Sequence, residues 1–130
     1  MKSNENGRLG ESIAAEFYEV NGYTVIEKNY RSGHNEIDII ARKSNHIVFA
    51  EVKTRTKSPS LEKFGSAKSA VDRYKQKHLL DAALEYMYNT KSAAGLRPRM
   101  DVVEVYLTKE GRLLKLNYIR NAFGIRSGNR

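Results

Sequence analysis

The sequence predicts an α/β fold in which helices flank a mixed central β-sheet. Two segments space their apolar residues as a helix does, one near the amino end and one in the second half of the chain. Shorter runs rich in Ile and Val lie between and after them, and the connections around the middle runs are short. The predicted order is α-β-β-β-α-β-β, which forms an α/β sandwich.

The first helix is predicted over residues 7–22, followed by a strand over 23–31. Gly22 stands where the helix ends, because glycine adopts the left-handed C′ conformation without steric cost. The apolar residues of this helix recur at helical spacing and form one stripe: Leu9, Ile13, Phe17 and Val20.

Two β-branched runs, 37–43 and 46–54, predict a hairpin whose tight turn is Ser44-Asn45. Residues 56–66 show no periodicity and contain Pro59, Gly65 and several lysines, so they predict a mobile loop.

Ser69 and Asp72 have the spacing of a capping box, which predicts a second helix from there to about residue 89. Strands are predicted over 99–107 and 113–119. Residues 1–120 are therefore expected to form one domain, and the polar residues 121–130 a flexible basic tail.

The amino-acid composition favours some classes of binding partner and excludes some kinds of site. Lysine and arginine number 23 against 15 acidic residues, a net charge of +8, which favours nucleic acid as partner over an anionic membrane. The chain contains no cysteine, which excludes a disulfide scaffold and a cysteine-based zinc site or nucleophile. Its first ten residues are polar and no run is long and apolar enough to cross a bilayer. A soluble, cytoplasmic protein without membrane attachment is expected.

The hairpin places three charged residues on one face. If Ser44 and Asn45 form the turn, the numbers of partner residues sum to 89, so Asp38 lies opposite Glu51. Lys53 is two residues beyond Glu51 and shares its face by strand alternation.

Two opposed carboxylates repel, and a divalent cation with a neighbouring lysine offsets that repulsion. Mg²⁺ is commonly held by one or two carboxylates together with substrate phosphate. The alternative is a salt bridge at the strand edge among Asp38, Glu51 and Lys53, which the apolar character of both hairpin faces makes less favourable.

Asp38 followed by Glu51-Val-Lys53 resembles the PD-(D/E)xK nuclease signature, with Ile37 in place of its proline. The chain as a whole resembles the YraN-like family of bacterial proteins, and its first half is similar to archaeal Holliday-junction resolvases. Four segments carry the family resemblance: GRLGE at 7–11, EIDIIA at 36–41, FAEVKTR at 49–55 and MDVVEV at 100–105.

The resemblance implies a restriction-endonuclease-like fold and hydrolysis of phosphodiester bonds that depends on Mg²⁺ or Mn²⁺. Asp38, Glu51 and Glu11 would ligate the metal, and Lys53 would orient the attacking water and neutralise charge in the transition state. The sequence does not distinguish DNA from RNA, but the resemblance favours DNA, with branched or repair-type structures among its forms. It also favours a homodimer and a polar contact to the active centre from Gln76.

Basic residues flank this hairpin in sequence and could follow a phosphate backbone. Those on the second helix are equally well explained as a solvated face. The residues assigned to nucleic-acid binding are Arg55, Lys57, Lys68, Arg73, Lys75 and Gln76.

Two other functions remain open: a nucleic-acid-binding module that does not cut, and a basic adaptor for another protein. A divalent-metal site that depends on Glu51 would separate the nuclease from the adaptor. Asp101 and Glu104 have opposite strand parity and cannot face one metal together without a bulge, so Asp101 is expected either to be structural or to support the ligands of the site. No metal-ligand spacing links His34, His46 and His78.

Overall fold

The computed structural model describes residues 3–56 and 72–124. In chain order the main elements are α1 (Ser3–Val20), β1 (Thr24–Ser32), β2 (Asn35–Lys43), β3 (His46–Thr56), α2 (Arg73–Asn89), β4 (Arg97–Leu107) and β5 (Leu113–Phe123). A 3₁₀ turn at Lys91–Ala93 precedes β4. The predicted order of helices and strands is confirmed.

The five strands form one mixed sheet in the order β1-β2-β3-β4-β5. Neighbouring strands are antiparallel except β3 and β4, which are parallel. Parallel neighbours need a crossover connection, and α2 lies in the chain between these two strands.

One helix covers each face of the sheet. Ala14, Ala15 and Tyr18 of α1 pack into a core with strand residues that include Val48 and Val103. On the opposite face α2 contributes to a second core, together with strand residues of that face: Leu79, Ala82, Ala83, Ile40, Phe49 and Met100. The two cores give an α/β sandwich, as predicted.

The carboxyl end of α1 matches the prediction for Gly22, whose φ is 92°. Its backbone N–H donates to the carbonyl of Glu19 and that of Tyr23 donates to the carbonyl of Tyr18, each at 3.0 Å, which is a Schellman motif. The predicted stripe is wrong at Val20, which is 78% exposed. Val20 lies roughly 120° around the helix from Ala14, whose face is buried against the sheet.

The amino end of α2 differs from the prediction. Asp72 has extended backbone angles (φ −82°, ψ 176°), and its side chain accepts a hydrogen bond from the backbone N–H of Lys75. The carboxylate of Asp72 is therefore itself the N-cap rather than the helical partner in a capping box. Ser69 lies outside the described residues.

Two predicted segments fall partly outside the described residues. Thr56 ends β3, and the rest of the expected loop over 56–66 is not described. β5 continues to Phe123, so the strand extends into the segment expected to form the tail, and residues 125–130 are not described. No helix in the described ranges is long and apolar enough to span a membrane.

Candidate active site

The β2–β3 hairpin has the predicted register. The numbers of paired residues sum to 89 from Lys43 and His46, at the turn, to Ile39 and Ala50, where the ladder ends. Asp38 lies one residue past that last pair, and its Oδ2 accepts a hydrogen bond from the backbone N–H of Val52 at 2.7 Å. At the end of the hairpin that carries the charged residues, the backbone N–H of Val52 therefore donates to a side chain.

Strand alternation is interrupted at Asp38. Ile37 belongs to the core beneath α2, whereas Ile39 belongs to the core beneath α1, although residues two apart in a regular strand share a face. On β1, Asn29 lies between the partners of these two isoleucines and has a left-handed φ of 55°. The backbone irregularity is therefore shared by two adjacent strands at the level of Asp38.

A cleft of about 480 Å³ opens at this end of the sheet. β2 and β3 line it with carboxylates, α2 supplies a lysine and a histidine, and the β1–β2 turn supplies a second histidine: Glu36, Asp38, Glu51, Lys75, His78 and His34. The two histidines, which no sequence spacing linked, share one cavity because the turn and α2 meet there.

The acidic residues of the cleft repel one another. Burial, and after it the charge of Glu51, raises the pKa of Asp38 to about 8. The charge of Glu11 acts in the same direction, whereas the hydrogen bond from Val52 lowers the pKa. The charge of Glu51 thus disfavours ionisation of Asp38, and the expected repulsion between the two carboxylates is expressed as a raised pKa of Asp38.

Glu11 reaches this group from α1, on the other face of the sheet. The side-chain amide of Asn29, in the orientation that suits its neighbours, donates to Glu11 Oε1 and to Glu36 Oε2, each at 3.1 Å. Burial raises the pKa of Glu11, the hydrogen bond from Asn29 lowers it, and the charge of Glu36 raises it. Asn29 was not among the residues predicted from the sequence, since its only local signal is that asparagine tolerates left-handed backbone.

The cation that pairs with Glu51 comes from α2. Lys75 Nζ lies 3.3 Å from Glu51 Oε2, and the Glu51 side chain is 6% exposed. Lys53 shares the face of Glu51 by alternation on β3, is half-buried, and is paired in the ladder with Glu104 of β4. It does not belong to the residues that line the cleft, within the described ranges.

The structure separates the basic residues that were assigned to nucleic acid. Arg55 Nε lies 3.1 Å from Oε2 of Glu104, which is fully buried. Arg73 and Gln76 line a different cavity, between α2 and the end of β5, so Lys75 rather than Gln76 extends from α2 into the cleft. Neighbouring positions on a helix differ by roughly 100° in direction, which explains why Lys75 and not Gln76 reaches the cleft. Lys57 and Lys68 lie outside the described residues.

Asp101 is structural, as expected. Its Oδ2 accepts hydrogen bonds from the hydroxyls of Tyr18 at 2.8 Å and Tyr118 at 2.7 Å, and the guanidinium of Arg99 binds both carboxylate oxygens at 2.9 Å. The backbone N–H of Asn121 donates to Oδ1 at 2.8 Å. This buried acid is fully satisfied by its neighbours and packs on the α1 face.

The donor set suits a hard divalent cation in part. In residues 3–56 and 72–124, no group of three or more His, Asp or Glu side chains is arranged closely enough to hold an ion. Asp38 and Glu51 supply two carboxyl groups, and Mg²⁺ is often bound through one or two carboxylates, with water and phosphate completing its shell. The two residues fit such an ion without a third protein ligand.

Comparison with known proteins identifies the family. Residues 10–105 match the model of "Uncharacterised protein family UPF0102". A UPF0102 protein of Caldicellulosiruptor saccharolyticus is 43% identical over 123 residues, covering 95% of this chain and 100% of the relative. A UPF0102 protein of Caldanaerobacter subterraneus subsp. tengcongensis is 42% identical over 118 residues, covering 90% and 93%.

Among solved structures, SfsA of Pyrococcus furiosus, determined in complex with Ca²⁺, matches 87% of this chain and 62% of its own. The TM-score is 0.37 and the sequence identity 15%, values that do not establish a common fold. The matches in sequence cover most of the chain and of the relatives, so the protein belongs to family UPF0102.

Proposed function

We propose that the protein is a metal-dependent nuclease of the PD-(D/E)xK type, with a restriction-endonuclease-like fold. The observation that supports the proposal is the pair Asp38 and Glu51 at the end of the β2–β3 hairpin, in a cleft where burial, and after it the charge of Glu51, raises the pKa of Asp38 to about 8. Crowded carboxylates in a cleft are typical of a site completed by a ligand.

In this proposal Asp38 and Glu51 hold Mg²⁺ or Mn²⁺, and Glu11 adds a further carboxylate from α1. The bound ion supplies polarisation of the phosphate and a lowered pKa for a coordinated water. Lys53 orients the attacking water and neutralises charge that develops on the phosphate. Asn29 keeps Glu11 and Glu36 in place through its two donated hydrogen bonds.

The substrate is nucleic acid, which the net charge of +8 favours. DNA, including branched or repair-type structures, is the preferred form, and the resemblance to resolvases adds a homodimer in the cytoplasm. The residues assigned from the sequence to follow the phosphate backbone are Arg55, Lys57, Lys68, Arg73, Lys75 and Gln76, and Lys75 is the one among the described residues that lines the cleft.

A second candidate is a nucleic-acid-binding protein of the same fold that does not cut. The arrangement that favours it is the ion pair of Glu51 with Lys75, together with the lack of a three-ligand group among the described side chains.

The experiment is incubation of branched, nicked and single-stranded DNA with Mn²⁺, comparing the wild type with Lys53→Ala. Lys109→Ala, in the exposed turn after β4, removes the same charge away from the site and is the matched control. Cleavage lost only in Lys53→Ala supports the nuclease. Binding without cleavage in all three proteins supports the second candidate, and absence of both contradicts the proposal.

A further inference from the structure

The ion pair between Lys75 and Glu51 joins a buried group to a half-exposed one. The Glu51 side chain is 6% exposed, whereas that of Lys75 is 46% exposed. The backbone of Lys75 is fixed by its hydrogen bond to the Asp72 carboxylate at 2.8 Å. A fixed backbone with a long, half-exposed side chain lets the ammonium group move while the residue itself stays at the cleft.

Helix stability does not explain a lysine at this position. The first turn of α2 contains no acidic residue, and Lys75 is the third residue of the helix. The positive end of the helix dipole disfavours a cation there and favours an anion. The ion pair with Glu51 offsets this disadvantage.

An ammonium group and a divalent cation compete for the same carboxylate oxygen. Because Glu51 is buried beside Asp38, leaving it without any cation is costly. In the metal-free protein Lys75 meets that need. A divalent cation at Asp38 and Glu51 would replace it and release the ammonium into the cleft, which also contains His34 and His78.

We propose that Lys75 is a displaceable counter-ion that couples metal binding to phosphate binding. It neutralises Glu51 in the metal-free protein, leaves Glu51 when a divalent cation binds, and then donates to a phosphate oxygen of a nucleic-acid strand in the cleft. The inference rests on the proposed function, because it takes the cation and the phosphodiester from there. Lys75 thus pairs first with Glu51 and afterwards with a phosphate group. Its removal should therefore strengthen binding of the metal and weaken binding of the nucleic acid.

Lys75→Met tests this coupling, with Lys77→Met as the matched control. Lys77 is on the same helix and carries the same charge, but it is 74% exposed and pairs with Asp81 at 3.1 Å. Mn²⁺ affinity is measured by calorimetry, and binding of a fluorescent DNA duplex by anisotropy in EDTA and in Ca²⁺. Ca²⁺ has the same preference for oxygen ligands.

We expect Lys75→Met to bind Mn²⁺ about two- to fivefold more tightly than the wild type, the range expected for loss of a half-exposed competing ion pair. Its affinity for DNA should be lower than that of Lys77→Met in Ca²⁺ and equal to it in EDTA. Lys75→Arg keeps the charge and should retain the Mn²⁺ affinity of the wild type.

Unchanged or weaker Mn²⁺ binding by Lys75→Met overturns the inference, as does an equal loss of DNA affinity with and without Ca²⁺. Wild-type protein that shows no Glu51-dependent Mn²⁺ binding overturns the proposed function and this inference together. If the wild type binds Mn²⁺ and Lys75→Met behaves as Lys77→Met does, only the role of Lys75 is wrong.

Discussion

The carboxylate of Asp38 accepts a hydrogen bond from the backbone N–H of Val52, with 2.7 Å between Oδ2 and N. This bond ties the side chain of β2 to the backbone of β3 next to Glu51. It limits the freedom of Asp38 to turn away from Glu51, so the repulsion between the two carboxylates persists in the folded chain.

Glu51→Gln should abolish divalent-metal binding while changing the free energy of unfolding by less than about 1 kcal/mol. The amide keeps the shape of the side chain and relieves the repulsion with Asp38, and the released Lys75 ammonium is half-exposed and can be hydrated. Thermal melts with EDTA and with Mn²⁺ provide the measurement. Mn²⁺ should raise the melting temperature of the wild type only, and a large drop for the variant in EDTA would show that the ion pair is structural.

Metal binding should strengthen as the pH rises through about 8. The free protein holds a proton on Asp38 below that pH, because burial and the charge of Glu51 raise its pKa, and a metal must displace this proton. Calorimetric Mn²⁺ titrations at pH 6.5, 7.5 and 8.5 check the direction. Affinity that is constant over this range would mean that Asp38 is not a ligand.

Asp38 should also make the metal-free protein less stable at higher pH. A folded-state pKa raised from 3.8 to about 8 means that the folded chain binds the extra proton between these values. The stabilisation is therefore complete below about pH 4 and is lost as the pH rises through 8. Urea unfolding in EDTA measures this. Between pH 5.5 and 8.5 the free energy of unfolding should fall more for the wild type than for Asp38→Asn.

Asn29→Ala should be less stable than Asn29→Gly. Both variants lose the donors that bridge Glu11 and Glu36, but only glycine accepts a φ of 55° without strain. The difference should be about 1 kcal/mol in the free energy of unfolding. In both variants the pKa of Glu11 should rise further, which NMR titration can follow, and an unchanged Glu11 titration would rule out the bridge.

Asp101→Ala should destabilise the protein by about 3–5 kcal/mol, because it leaves the buried guanidinium of Arg99 without its carboxylate. Tyr118→Phe removes one hydroxyl from the same network and should cost about 1 kcal/mol. Urea unfolding measures both. Mn²⁺ affinity of Tyr118→Phe should equal that of the wild type, since Asp101 packs on the α1 face away from the cleft.

Local sequence determined the order of elements and the register of the central hairpin. Apolar periodicity distinguishes helix from strand over a few residues, and the turn at Ser44-Asn45 sets which strand positions pair, so the proximity of Asp38 and Glu51 could be predicted. The end of α1 could also be predicted from local sequence, because Gly22 adopts the left-handed backbone conformation that this position requires. The start of α2 was predicted too early, at Ser69, because aspartate is favourable both as an N-cap and at the third position of a helix.

The partners of the hairpin charges depended on tertiary structure. Which side of α2 faces the sheet is set by the packing of Leu79, Ala82 and Ala83, and this packing turns Lys75 toward Glu51 and Gln76 away from it. Asn29 contacts Glu36 across the pairing of β1 with β2, but it contacts Glu11 only because α1 packs against the sheet there. Spacing along a chain specifies neighbours within a helix or hairpin, whereas contacts between elements follow from how their apolar faces are buried together.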